Sequence, residues 1–167
     1  MKKIILASAI LFLMQACTVA YKFNGASIDY TKVKTFTITE FPIKAALVYA
    51  PLSQTFTEGL RDIYNRQTRL RPVKQNGDLT LEGEITGYNL TPQAVKENAY
   101  ASETRLTVTV RVKYTNRIDP KQSFDQSFSA YRDFPSTKML TQVQDDLIKE
   151  IVDELTDNIY NATVANW

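Results

Sequence analysis

Residues 104–114, TRLTVTVRVKY, decide the fold. Leu106, Val108, Val110, Val112 and Tyr114 fall on one face of an extended chain, and Arg105, Thr107, Thr109, Arg111 and Lys113 on the other. A period of two held this long, in β-branched residues, specifies a strand with one buried and one wet face. The dry face needs a cover. The wet face needs water or a polar partner, and function belongs on that side.

Toward the C-terminus, Asp119-Pro120 within residues 116–121 forms a hairpin connection. A strand over residues 123–131 follows, with Phe124 and Phe128 on one face and Asp125, Ser127, Ser129 and Tyr131 on the other. Pro135-Ser136 sets up a helix start with Ser136 as N-cap. The helix is expected over residues 137–163, with Leu140, Val143, Leu147, Ile151, Leu155 and Ile159 as its stripe. Ile148, Val152 and Tyr160 widen that stripe beyond a coiled-coil seam and toward the width that packs on a sheet. Asp145 and Asp146 are read as complementing the helix dipole.

Toward the N-terminus, residues 91–102 read as a polar loop. Before it, Leu79, Leu81 and Ile85 alternate with Thr80, Glu82, Glu84 and Thr86, a second long strand. Gly83 and Gly87 are placed on its apolar side, where a helix backbone could approach. Asn76-Gly77-Asp78 marks a turn. Leu52, Phe56, Leu60 and Ile63 recur at helical spacing over residues 52–67, and Gly59 suggests close packing of that helix on the sheet. Phe36 and Ile38 alternate with threonines in a first strand over residues 33–41, ended by Pro42.

The order is β-α-β-β-β-α. The first crossover carries a helix, so the first two strands are parallel neighbours or near-neighbours, and the later, hairpin-linked strands are antiparallel. The expected fold class is α+β, a two-layer sandwich of a four-stranded mixed sheet with two helices on one face.

The N-terminus is a separate signal. Lys2 and Lys3 precede Ile4 to Met14, apolar apart from Ser8 and too short to span a bilayer, which takes about 20 helical residues. Residues 1–16 read as a secretory leader, and residues 17–167 as a single domain. Leu13-Met14-Gln15-Ala16-Cys17 resembles the lipobox of bacterial lipoproteins, in which Cys17 is acylated. Of 20 basic residues two lie in this leader, leaving 18 against 18 acidic residues in the mature chain. Bulk charge therefore encodes no attraction to nucleic acid. With no His and Cys17 as the only Cys, zinc sites with N/S ligands, Cys–His nucleophiles and internal disulfides are excluded.

No phosphate-binding glycine loop is present, because the five glycines are scattered. Glu82 and Glu84 could serve as acid and base, but carboxylates on a strand face more often pair across strands with Arg or Lys, with Arg105 and Arg111 as candidates here. No cofactor, no metal and no enzymatic activity are expected. The candidate functional surface is basic: Arg105, Arg111 and Lys113, with Lys96 in the preceding loop. Such groups can hold phosphates, Arg bidentately, or can simply pair with carboxylates on neighbouring strands.

The chain also resembles the LptE family, the lipopolysaccharide-assembly lipoproteins of the Gram-negative outer membrane. The resemblance rests on Tyr21-Lys22-Phe23-Asn24-Gly25-Ala26-Ser27-Ile28, Pro51-Leu52-Ser53-Gln54-Thr55-Phe56-Thr57-Glu58 and Asn76-Gly77-Asp78-Leu79. It continues in Glu82-Gly83-Glu84-Ile85-Thr86-Gly87-Tyr88, Leu106-Thr107-Val108-Thr109-Val110 and the tail Asn161-Ala162-Thr163-Val164-Ala165-Asn166-Trp167. It implies a non-enzymatic, lipid-anchored protein on the periplasmic face of the outer membrane. Such a protein plugs an LptD-type β-barrel, helps it to fold and contacts lipopolysaccharide. By location it adds Lys138 to Lys96 as lipopolysaccharide-binding candidates. The alternative is a lipid-tethered periplasmic interaction or ligand-binding domain with no barrel partner.

Overall fold

The computed structural model describes residues 28–93 and 103–165, so Cys17, the leader and Lys96 lie outside the described residues. Chain order is β1 (Thr35–Ile38), α1 (Pro51–Gln67), β2 (Arg71–Pro72), β3 (Leu79–Gln93), β4 (Glu103–Asn116), a 3₁₀ turn (Pro120–Gln122), β5 (Phe124–Pro135) and α2 (Leu140–Thr163). The sheet runs β2-β1-β3-β4-β5. β1 is parallel to both β2 and β3, and β3, β4 and β5 are antiparallel neighbours.

The α+β class and mixed sheet agree with the sequence reading, except that the sheet has five strands rather than four. The extra strand, β2, is two residues on the outer edge of β1, where Pro72 withholds a ladder donor. Leu106, Val108, Val110 and Val112 of β4 are fully buried, as the opening stretch requires. Facing them are Leu52, Phe56, Leu60 and Tyr64 of α1 and Ile151, Leu155 and Ile159 of α2, none of them exposed. Several such side chains, each contributing about 1.5–3 kcal/mol when fully buried, hold the two layers together.

Three local expectations are corrected. A register shift between Ile85 and Gly87 flips the pleat of β3, so Gly87 opposes Thr109 on the polar face and Tyr88 turns inward opposite Val108. Gly83 does stay on the apolar side, but a Cβ there would stand 2.0 Å from the Arg111 carbonyl oxygen and 2.8 Å from the Phe41 ring. The close neighbours are thus strand backbone and a phenyl ring rather than a helix. Gly59 faces α2 instead of the sheet, with a Cβ position 3.1 Å from Val152 Cγ1.

Ser136 does not cap α2. Its hydroxyl bonds the Thr104 hydroxyl at 2.9 Å, and Met139 occupies the cap position. There the Met139 amide donates to the Gln142 side chain at 3.1 Å. Asp145 and Asp146 therefore lie beyond the first turn, and Asp145 instead accepts from the Tyr49 hydroxyl. Asn76 takes a left-handed φ of 57° in the expected turn. The Gly77 that follows sits so close to Phe36 and Thr37 that a Cβ would meet their backbone at 2.7 Å. That closeness lets Asp78 receive the amides of Lys34 and Thr35 at 2.8 and 3.0 Å, which binds the head of β3 to β1.

Candidate functional site

The face of the sheet away from the helices carries the side chains that the pleat of β4 turns outward. On β4 these are Arg105, Thr107, Thr109, Arg111 and Lys113; on β5 they are Asp125, Ser127, Ser129, Tyr131 and Asp133. Glu82 and Glu84 of β3 complete the lattice opposite Lys113 and Arg111. Antiparallel pairing brings such groups within reach without any special loop.

Each basic candidate on β4 meets a carboxylate. Arg105 forks onto Asp133 at 2.7 and 2.8 Å, directly across the ladder. Its guanidinium also stacks on Tyr131, with Cζ 3.7 Å from the ring centre. Arg111 forks diagonally onto Asp125, both bonds at 2.9 Å, and Lys113 donates to Glu82 at 2.7 Å. Of the cross-strand pairs expected for Glu82 and Glu84, that of Glu82 is present, to Lys113, whereas Glu84 forms no ion pair among the described residues.

These bonds set the electrostatics. The Arg111 guanidinium holds the Asp125 carboxyl below the usual carboxylate range, and Arg105 does the same to Asp133. Reciprocally, the Glu82 carboxylate raises the Lys113 ammonium. The groups are too exposed for the pairs to carry much stability. Thr39, Glu82, Gly83, Glu84, Arg111, Lys113 and Asp125 line a shallow cleft on this face. It offers mixed charge, suited to polar contact and hydration.

The basic candidates do not converge on one point. Arg105 and Arg111 are six residues apart on one strand, about 20 Å at 3.3 Å per residue. Lys138 is exposed in the turn between β5 and α2, near the start of β4 where Ser136 bonds Thr104. It therefore stands at the Arg105 end. No group of carboxylates, cysteines or histidines able to hold a metal occurs among the described residues, and none of the helices described is long and apolar enough to cross a membrane.

Sequence reasoning passed over a second charged region. Between residues 61 and 74 the chain carries Arg61, Arg66, Arg69, Arg71 and Lys74 against the single acid Asp62. A running charge count would have found it. The whole-chain balance hid it, because residues 145–157 of α2 carry Asp145, Asp146, Glu150, Asp153, Glu154 and Asp157 against Lys149 alone. Arg132, on the inward side of edge strand β5, reaches two of those acids, Glu150 at 2.8 Å and Glu154 at 2.5 Å, and so clamps α2 to the sheet.

Comparison with known proteins gives the following likenesses. The LptE family model, described as lipopolysaccharide-assembly, matches residues 33–163. Among solved structures, the chain is similar to a minor lipoprotein from Acinetobacter baumannii, at 15% identity and a TM-score of 0.52, over 78% of this chain and 93% of that one. It is also similar to a Xanthomonas campestris protein, at 11% identity and TM-score 0.53, over 80% of this chain and 84% of the other. A hypothetical protein from Chlamydia trachomatis aligns at 10% identity and TM-score 0.52, over 80% of this chain and 99% of the other. No curated protein matches. At these identities the structural likenesses show a shared fold.

Proposed function

Because this chain belongs to the LptE family and has a role in lipopolysaccharide assembly, we propose that it is an outer-membrane lipoprotein, anchored at the periplasmic face through acylated Cys17. In this reading it plugs an LptD-type β-barrel, assists its folding and helps to deliver lipopolysaccharide to the cell surface. The observation that carries the reading is the extent of the family match, which runs from before β1 to the end of α2. The outer sheet face supports it. That face is a polar lattice of ion pairs and hydroxyls rather than an apolar sheet needing a third layer, which suits a domain inside a wet lumen.

Lipopolysaccharide contact falls to the basic candidates Lys96, Lys138, Arg105, Arg111 and Lys113. Lys138 is exposed and forms no ion pair among the described residues, so a phosphate meets no competitor there. At Arg105, Arg111 and Lys113 a phosphate must compete with a carboxylate already bonded.

The test is a detergent pull-down of the wild-type chain and of Cys17→Ser, with the barrel followed by heat-modifiable gel mobility before and after depletion. The expected result is co-purification of one large barrel, loss of folded barrel on depletion, and loss of palmitate labelling and membrane fractionation in Cys17→Ser. A chain that brings down no barrel, in cells whose barrel folds normally after depletion, would establish a tethered interaction domain instead.

A further inference from the structure

The second charged region has a geometry of its own. At the β2 edge of the sheet an open cleft of about 450 Å³ is lined by Phe36, Ile38, Arg61, Pro72, Val73 and Lys74. Those apolar side chains stand beside polar Thr39 and Asn65, and the rim carries Arg61 and Lys74 on two different elements, α1 and the chain just after β2. Arg61 is fixed in place by donating one Nη2 bond to the Ile38 carbonyl at 3.0 Å. That bond uses one of five guanidinium donors and leaves the planar fork able to receive an oxyanion. Neither Arg61 nor Lys74 forms an ion pair among the described residues, and neither do Arg66, Arg69 and Arg71 beside them.

Neither Asp62 nor Asp78, the acids nearest in sequence to these cations, forms an ion pair with them. Asp62 follows Arg61 directly on the helix, so its side chain leaves α1 in another direction. Asp78 is spent on the β1 backbone, where the Lys34 amide and the Thr35 amide and hydroxyl hold it ionised below the usual range. Helix polarity accounts for only part of the charge: Arg66 in the last turn of α1 complements the carboxyl end of that helix, and the other four cations lie outside that turn.

We infer that the α1–β2 cleft is a binding site for a phosphorylated, acylated glycolipid. The phosphate would lie between Arg61 and Lys74, and the adjoining apolar part on Pro72 and the half-exposed Val73. Cations without ion pairs beside apolar side chains in one cleft call for a phosphate carried on an apolar group, since a free inorganic anion would leave Pro72 and Val73 wet. The proposed function makes that group a glycolipid. The inference rests on the lipopolysaccharide-handling part of the proposed function, and it adds a contact site separate from Lys96, Lys138 and the β4 cations.

The experiment measures binding of the full-length chain in non-ionic detergent to diphosphoryl lipid A, to its dephosphorylated form and to inorganic pyrophosphate. Arg61→Gln/Lys74→Gln should weaken binding of diphosphoryl lipid A at least tenfold and flatten its salt dependence, with dephosphorylated lipid A unaffected. Lys74→Gln alone, which removes no bond from the fold, should give a several-fold loss and guards against misfolding of the double variant. Lys138→Gln is the comparator. If the double variant binds like wild type while Lys138→Gln weakens binding, the cleft is not the site and the proposed function stands. Should wild type bind neither form of lipid A, the proposed lipopolysaccharide contact fails together with this inference. Pyrophosphate bound as tightly as lipid A would also overturn it, since Pro72 and Val73 would then contribute nothing.

Discussion

At the scale of single residues, the outer face shows why a basic strand face need not be a basic surface. Arg105, Arg111 and Lys113 were legible as exposed cations from the period of β4 alone. Their partners were not, because Asp125 and Asp133 depend on the register of β5, and Arg111 takes Asp125 on the diagonal while Ser127 lies opposite it. The Arg105–Asp133 fork makes a pH prediction. Asp133 has a folded pKa depressed by Arg105, so its contribution to stability is present above the unfolded carboxylate value of about 3.9. That contribution is lost as pH falls through the lower, folded value. Asp133→Asn lacks it at every pH. The melting temperatures of wild type and Asp133→Asn should therefore differ modestly at about pH 6, and the gap should narrow as pH falls below about 3.9. A gap that stays constant across the range would mean that Asp133 acts through something other than its charge.

At the scale of elements, legibility followed periodicity. Both helices, β3 and β4 carry enough alternation or stripe to be placed from sequence, and the parallel β1–β3 neighbours followed from the crossover helix. β2 was invisible because two residues, one of them proline, have no period. The pleat flip at Gly87 escaped for a related reason: a bulge inserts one residue into an alternation that otherwise continues, and only the partner strand reveals it. The stripe of α2 is correct from Ile148 onward, where Ile151, Leu155 and Ile159 are fully buried, but Leu140, Val143 and Leu147 are only partly covered. Ile151→Asp is accordingly expected to destabilise the fold by at least about 3 kcal/mol, since a charge would be forced among apolar side chains. Asp146→Ala, on the exposed side, should cost less than about 1 kcal/mol. Denaturant melts of the two variants give the comparison, and equal losses would place the wrong face of α2 against the sheet.

For the whole molecule, the two layers are joined at one end by tyrosines whose hydroxyls cross between elements. Tyr64 of α1 shares a buried hydrogen bond with Thr163 of α2, and Tyr114 of β4 donates to the Thr163 carbonyl at 3.4 Å. Tyr160 packs edge-on against Tyr64 with ring centres 5.8 Å apart. Helix, helix and sheet thus meet in one phenol cluster, and its ionisation is tied to folding as a whole. Burial pushes Tyr114 up to about 12 and Tyr64 well above the ordinary phenol value. For such a group the neutral form is favoured in the folded state. The stability it contributes is complete below the unfolded value of about 10 and is lost as pH rises through the folded one. The chain should therefore unfold cooperatively in alkali, with the buried phenols gaining phenolate absorbance together with the loss of helix signal. Tyr114→Phe removes one of these ionisations and should move the alkaline transition to higher pH, even though the weak bond to Thr163 is lost. If that variant unfolds at the same pH as wild type, desolvation of Tyr114 is not what couples the sheet to the helices.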